Sequence, residues 1–352
     1  MPRPYAILRA GFPYDRTIGE SRRFRIPRDL AIHKDGRIFV FTNGSSYGKG
    51  FYGPISVTNL EDEPLGSFGW QSLRSPVPPA AFMWGTQVVL DNEQNTLIFV
   101  DAAAAKVSFF NVDGPYLGRW GEEGSAPGKL KKPSSIAVDG DDNVWVVDSG
   151  NHRVQRFTRD GRLLMSFGAF GTAPGQFNMP WGIHIDKEYQ EVYVADWRND
   201  RVQVFDFTGK FLWTFGSSGS GNGQFNRPSG IAVDSDGDIY VADFGNNRVQ
   251  LFDRTGRYVQ KFHGDATMSR SVRKRLLQNA AAKQHRMRDD AVEYVEQEKL
   301  FTHPRSVRVD HRGYMYVPDT EHWRVQIYRK ESYLLDETQV LPPFKVPTLN
   351  AN

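Results

Sequence analysis

The sequence predicts an all-β chain folded as a six-bladed propeller. A short apolar strand ending in Asp or His recurs six times, at 30–33, 88–91, 136–139, 183–186, 231–234 and 307–310. Each recurrence is followed by further strand-like stretches with turn residues between them. The composition agrees, with 33 Gly, 20 Pro and 13% aromatic residues in 352, a mixture of turn formers and strand formers.

The period orders the elements. Most of the recurring strands stand about 48 residues apart, within the propeller range of repeat lengths. Four signals mark each unit. A proline precedes the first strand (Pro27, Pro133, Pro180, Pro228, Pro304), with Gly85 in the second unit. A second apolar strand follows, at 38–40, 98–100, 144–146, 192–194, 239–241 and 315–317. Next comes an Asp-x-x-x-x-Arg turn, pairing Asp148 with Arg153, Asp196 with Arg201, Asp243 with Arg248 and Asp319 with Arg324; Asp101 and Lys106 form a variant. A fourth strand ends at Trp120-Gly121, Phe167-Gly168, Phe215-Gly216 or Gly264. Such a sheet cannot cover both of its own faces, but sheets stacked radially cover one another. The turn has a mechanism: Asp accepts backbone N–H groups, Gly or Asn tolerates a left-handed backbone, and Arg offers a fork of donors.

One domain is expected over residues 1–340, with blades near 25–69, 83–121, 132–168, 179–216, 227–264 and 303–336. A helical insertion is expected at 265–302 between blades 5 and 6, because Val272, Leu276, Ala280, Met287, Ala291 and Val295 recur at helical spacing after a candidate N-cap, Ser269. It reads as a lid over the channel mouth, a dimer contact, a phosphate-binding helix or a solvated amphipathic helix. Residues 341–352 form a Pro-rich extended tail that could reach a second copy in a homo-oligomer. The ring is expected to close through 333–335 as the last outer strand, with the N-terminus packed across a face; the alternative is Tyr5 to Arg9 as that outer strand.

The lines VVDSGNHRVQRF, VADWRNDRVQVF and VADFGNNRVQLF, the last preceded by GQFNRPSGIAVD, resemble NHL repeats. The resemblance is strongest over 128–263, good over 303–329 and weakest in blades 1 and 2. It implies a propeller, usually of six blades, whose relatives include peptide-amidating lyases, other lyases and hydrolases, RNA-binding modules and protein-interaction domains. In the amidating lyases a His after the repeat proline supplies zinc ligands. Here those places hold Arg28, Ser134, Trp181, Ser229 and Arg305, so that zinc set is not carried over.

Residues shared by all units read as structural, and function is sought where units differ. Residues after the repeat proline should line the channel mouth, which brings Arg28, Asp29, Trp181 and Arg305 to one rim. Two guanidinium groups suit a carboxylate or phosphate; the alternative is pairing with Asp29 and the repeat aspartates. The inner strand holds Ala31, Ala137 and Ala232 at one slot, but His184 and Arg308 in blades 4 and 6. His184, kept neutral by burial and a nearby Arg, reads as a general base or as half of a hydrogen-bonded core pair. Tyr47, Trp197, Phe244, His322 and Trp323, from turns on the same face, read as substrate-binding or as mutual packing. Asp29 is the candidate ligand for a channel cation such as calcium; no cofactor is required.

Composition narrows the classes. The formal net charge is +3 and there is no cysteine, which removes disulfides, thiolate metal sites and Cys nucleophiles. Balanced charge weakens a nucleic-acid partner. No apolar run suits a signal peptide or a membrane span, so a cytoplasmic protein is expected. The expected function is a small-molecule-binding propeller, a lyase or hydrolase acting on an anionic substrate at the channel mouth. The alternatives are a non-catalytic protein- or RNA-binding propeller and a structural scaffold.

Overall fold

The computed structural model describes residues 9–19, 24, 26–42, 55–71, 81–82, 84–266 and 299–333. Within them, six four-stranded antiparallel sheets form the blades. From the inside outwards, blade 1 is Pro27–Ile32, Ile38–Thr42, Ile55–Thr58 and Gly66–Phe68. Blade 2 is Gly85–Leu90, Thr96–Asp101, Lys106–Asn111 and Tyr116–Trp120, and blade 3 is Ser135–Val138, Val144–Asp148, Arg153–Phe157 and Leu163–Phe167. Blade 4 is Ile183–Asp186, Glu191–Asp196, Arg201–Asp206 and Phe211–Phe215, and blade 5 is Pro228–Val233, Ile239–Asp243, Arg248–Phe252 and Tyr258–Phe262. Blade 6 is Arg308–Val309, Tyr314–Asp319, Arg324–Arg329 and, as its outermost strand, Tyr14–Ile18.

The closing strand therefore comes from the other end of the chain. The sequence places 333–335 there, but Glu331–Tyr333 pairs with Arg9–Gly11 in a separate ribbon. Tyr14–Ile18 carries no repeat motif; its partner, the strand Arg324–Arg329, selects it by leaving a free edge for Ile18 to meet Val325. Ile18 is fully buried there with Val325, Ile327 and Tyr316.

Alternating strands bury both faces of every blade, so the core is divided among the seams between blades. Phe39, Phe41 and Ile55 of blade 1 pack on Leu97, Phe99 and Phe110 of blade 2. Trp145, Val147 and Val154 pack on Ile183, Val192 and Phe205. Comparable clusters fill the seams between blades 2 and 3, 4 and 5, 5 and 6, and 6 and 1. Each buried large apolar side chain contributes about 1.5–3 kcal/mol of transfer free energy.

The repeated turn is a hydrogen-bond hub. Asp148 accepts from the backbone N–H of Lys131, Asn151 Nδ2, Arg153 Nε and Gln155 Nε2. Asp196 and Asp243 repeat this set, with Asn199, Arg201 and Gln203, and with Asn246, Arg248 and Gln250. These fully buried carboxylates tie the second strand, the third strand and the interblade loop together.

The expected helix falls almost wholly on 267–298, outside the described residues, and only its ends, at 265–266 and 299–302, are described. Those ends are joined, Ala266 N–H donating to Lys299 O at 3.1 Å and Phe301 N–H to His263 O at 2.7 Å. Phe301 is buried in the seam, as Leu130, Phe177 and Phe225 are in theirs. The insertion thus leaves from the tip of an ordinary interblade loop whose base is kept. Among the described residues no helix is long and apolar enough to cross a membrane.

Candidate functional site at the channel mouth

The entry to each inner strand is built by strain. In five blades the residue before the repeat proline has a left-handed backbone: Ile26, Lys132, Met179, Arg227 and His303 have φ between 48° and 58°. Such a conformation is unfavourable for a side-chain-bearing residue, above all for β-branched Ile26. Its recurrence turns the chain sharply, so that the residue after each proline arrives at the rim.

The arginines, Trp181 and Asp29 do converge. Arg28, Asp29, Thr86, Gln87, Ser134, Ser135, Trp181, Ser229, Arg305 and Ser306 line one small recess that opens to solvent. Beneath the rim, side chains join the inner strands. Asp29 accepts from Ser306 Oγ, from Arg308 Nε at 2.9 Å, from Arg308 Nη2 and from Val88 N–H at 3.0 Å. It thereby links blades 6, 1 and 2. Gln87 Oε1 accepts from Ser135 Oγ and Ile136 N–H, and Ser135 Oγ in turn accepts from Ile183 N–H. This carries the chain of bonds through blades 2, 3 and 4. Glycines take over in the remaining joints: a Cβ on Gly182 would lie 2.3 Å from Ser229 O, and one on Gly230 would lie 2.7 Å from Ser306 Cα.

The two arginines stand apart from this network. Arg28 is 7% exposed, and its guanidinium carbon lies 4.9 Å from the centre of the Trp84 ring. Arg305 lies 4.8 Å from the centre of the Phe244 ring, which stacks on His303 at 4.7 Å. The buried Nε atoms of both have no hydrogen-bond partner, and no described residue forms an ion pair with either. Burial, then repulsion from Arg305, pushes the Arg28 pKa down to about 9. Burial also lowers that of Arg305. The carboxylate of Glu321 acts on both from a distance, while its Oε1 lies 3.4 Å from His303 Nδ1.

The other expected residues separate. His184 and Arg308 do not line the recess. His184 is half-buried and meets Tyr193 edge-on at 6.4 Å; burial, then Arg308 and Lys187, push its pKa down to about 3. Arg308 is held by Asp29 and reaches Val88 O at 3.2 Å. Trp197 stacks with Trp181 at 5.6 Å, and Phe244 backs Arg305. His322 occupies the place of the repeat asparagine, its Nδ1 3.0 Å from Asp319 Oδ2. Trp323 is 37% exposed with a left-handed φ of 57°, and Tyr47 lies outside the described residues. Around Asp29 no further carboxylate or imidazole completes a cation site; among the described residues no group of three or more His, Asp or Glu is placed to hold a metal.

Sequence reasoning passed over Glu321, and it placed Trp84 on the channel-mouth face without a role beside Arg28. Trp84 precedes the Gly85 that replaces the repeat proline, and that irregularity was its signal. Glu321 sits within the Asp319 turn, where blades 3 to 5 have Gly150, Arg198 and Gly245.

Comparison with known proteins agrees with this architecture. The NHL repeat model matches residues 130–157, 177–205 and 225–252, in blades 3, 4 and 5. No curated protein matches the chain by sequence. Among solved structures, a Bacteroides thetaiotaomicron protein of unknown function superposes with a TM-score of 0.60 at 15% identity, over 92% of this chain and 76% of that one. A catalytically inactive virginiamycin B lyase from Staphylococcus aureus with Quinupristin superposes with a TM-score of 0.52 at 11% identity, over 94% and 90%. A streptogramin B lyase does so with a TM-score of 0.52 at 11% identity, over 92% and 98%. At these identities the likeness is one of fold. Three matched repeats, six sheets and a ring closed by its own N-terminal strand make this chain a six-bladed β-propeller carrying NHL repeats.

Proposed function

We propose that the channel mouth binds a small ligand through its anionic group, a carboxylate or phosphate held between Arg28 and Arg305. One observation carries this reading: two like charges share a recess, with their Nε atoms buried and unpartnered. An unpaired buried charge costs several kcal/mol, and two together cost more. An anion between the guanidinium forks removes that cost and makes charge-assisted hydrogen bonds. The rings of Trp84 and Phe244 hold both forks in place before the ligand arrives.

A lyase is the second reading, favoured by the fold shared with virginiamycin B lyase. Lyase chemistry needs a proton acceptor. Among the described residues lining the recess, Asp29 is the sole carboxylate, and its oxygens already accept four donors. His184 does not line the recess, and a pKa near 3 makes it a weak base. Binding is therefore the conclusion, with chemistry secondary to it.

Calorimetric titration of the full chain with sodium acetate and sodium phosphate, against sodium chloride at equal ionic strength, tests the reading. Saturable binding of acetate or phosphate, lost in Arg28→Met and Arg305→Met, supports it. Equal response to all three salts, or binding unchanged in both variants, overturns it.

A further inference from the structure

The anion recess has an aromatic wall on one side only. Trp181 lines the recess and stacks on Trp197, with ring centres 5.6 Å apart and planes 38° apart. Both rings are half-buried. The outer ring is flanked by cations: Arg227 lies 5.0 Å and Arg198 5.6 Å from the Trp197 ring centre. Blades 3 and 5 place Ser134 and Ser229 where blade 4 has Trp181, so the repeat itself does not call for this ring. The indole step starts inside the recess and leads outwards over blade 4.

Resting on the anion-binding reading, we propose that the ligand is an aryl acid, with its anionic group between Arg28 and Arg305 and its ring stacked on Trp181. Cations beside Trp197 draw electron density from the indole stack, which suits an electron-rich ring on Trp181. The recess is small and polar, so it takes the charged head while the flat body rests on the step. An acid lacking a ring fills only the inner part.

The probes are acetate, cyclohexylacetate, phenylacetate and indole-3-acetate, titrated into the full chain by calorimetry, with phenylacetate, which is spectrally silent at tryptophan excitation, also followed by tryptophan fluorescence. Phenylacetate and indole-3-acetate should bind on the order of tenfold tighter than acetate, and phenylacetate tighter than cyclohexylacetate. Phenylacetate should quench tryptophan emission. Trp181→Leu should remove the aryl advantage, and Trp197→Leu, outside the recess, should reduce it while keeping acetate affinity. Thermal unfolding of both variants checks that they fold; if Trp181→Leu does not, Trp197→Leu and the fluorescence titration decide. Equal affinity for all four acids overturns the aryl inference and leaves anion binding standing, as does a cyclohexyl acid binding as well as the phenyl one. Failure of all four, acetate included, overturns the anion reading itself.

Discussion

Blades 3 to 5 and blades 6, 1 and 2 solve the same packing problem with different inner strands. In the first arc the two residues after the proline are Ser134-Ser135, Trp181-Gly182 and Ser229-Gly230. In the second they are Arg305-Ser306 and Arg28-Asp29, and Thr86-Gln87 follows Gly85 in blade 2. Ser135 and close glycine contacts at Gly182 and Gly230 join the inner strands in the regular arc. In the irregular arc one carboxylate, Asp29, does that work, and the two arginines beside it are left over. Charges that the architecture needs are paired; the mouth arginines are not, which is why they point to a ligand.

The comparison can be broken most forcefully at Asp29. Asp29→Ala should cost about 3–5 kcal/mol, because it leaves the Arg308 guanidinium partly buried without its carboxylate. Urea unfolding would show it, and a loss below about 1 kcal/mol would mean that the joint between blades 6, 1 and 2 is held elsewhere. The regular arc should be next most sensitive. Gly182→Ala forces a Cβ against Ser229 O and should destabilise by about 1–3 kcal/mol, read as a lower midpoint in the same assay.

Arg28→Met should have the opposite sign, raising stability by about 1–2 kcal/mol while abolishing anion binding. Its pH dependence sharpens the point. The Arg28 pKa falls to about 9 on folding, so between about pH 9 and pH 12.5 the unfolded chain holds more protons than the folded one. Wild-type stability from this group therefore rises with pH across that window, and the advantage of Arg28→Met shrinks there. Parallel unfolding curves at pH 7 and pH 10 measure it. The smallest effect is expected at Glu321. Removing its charge in Glu321→Gln should tighten acetate binding about twofold to fivefold, since the carboxylate attracts both arginines through solvent. Isothermal titration resolves that change.

Much of the ring was legible in the sequence because its hubs are local. Asp148, Asn151, Arg153 and Gln155 lie within eight residues, so their pattern recurs visibly in every regular blade. The rim was legible by position, since a repeated proline fixes which residue comes next. Long-range pairing was not. Nothing near Asp29 announces that Arg308 reaches it from the other end of the chain, and that contact turns a candidate cation ligand into a joint. The same holds for Tyr14–Ile18, whose place depends on an edge left open more than 300 residues later. His184 was misplaced for another reason: the inner-strand slot it shares with alanines lies below the recess, not on its wall.

That closing strand makes assembly order asymmetric. Residues 14–18 emerge before any of the six blades, yet their partner strand, 324–329, follows more than 300 residues later. Five sheets can form from contiguous segments as they emerge, whereas the sixth must wait for a single large loop to close. Until that clasp engages, Val325, Ile327 and the edge of Arg324–Arg329 lack their cover, and an unfinished ring offers a sticky strand edge to other chains.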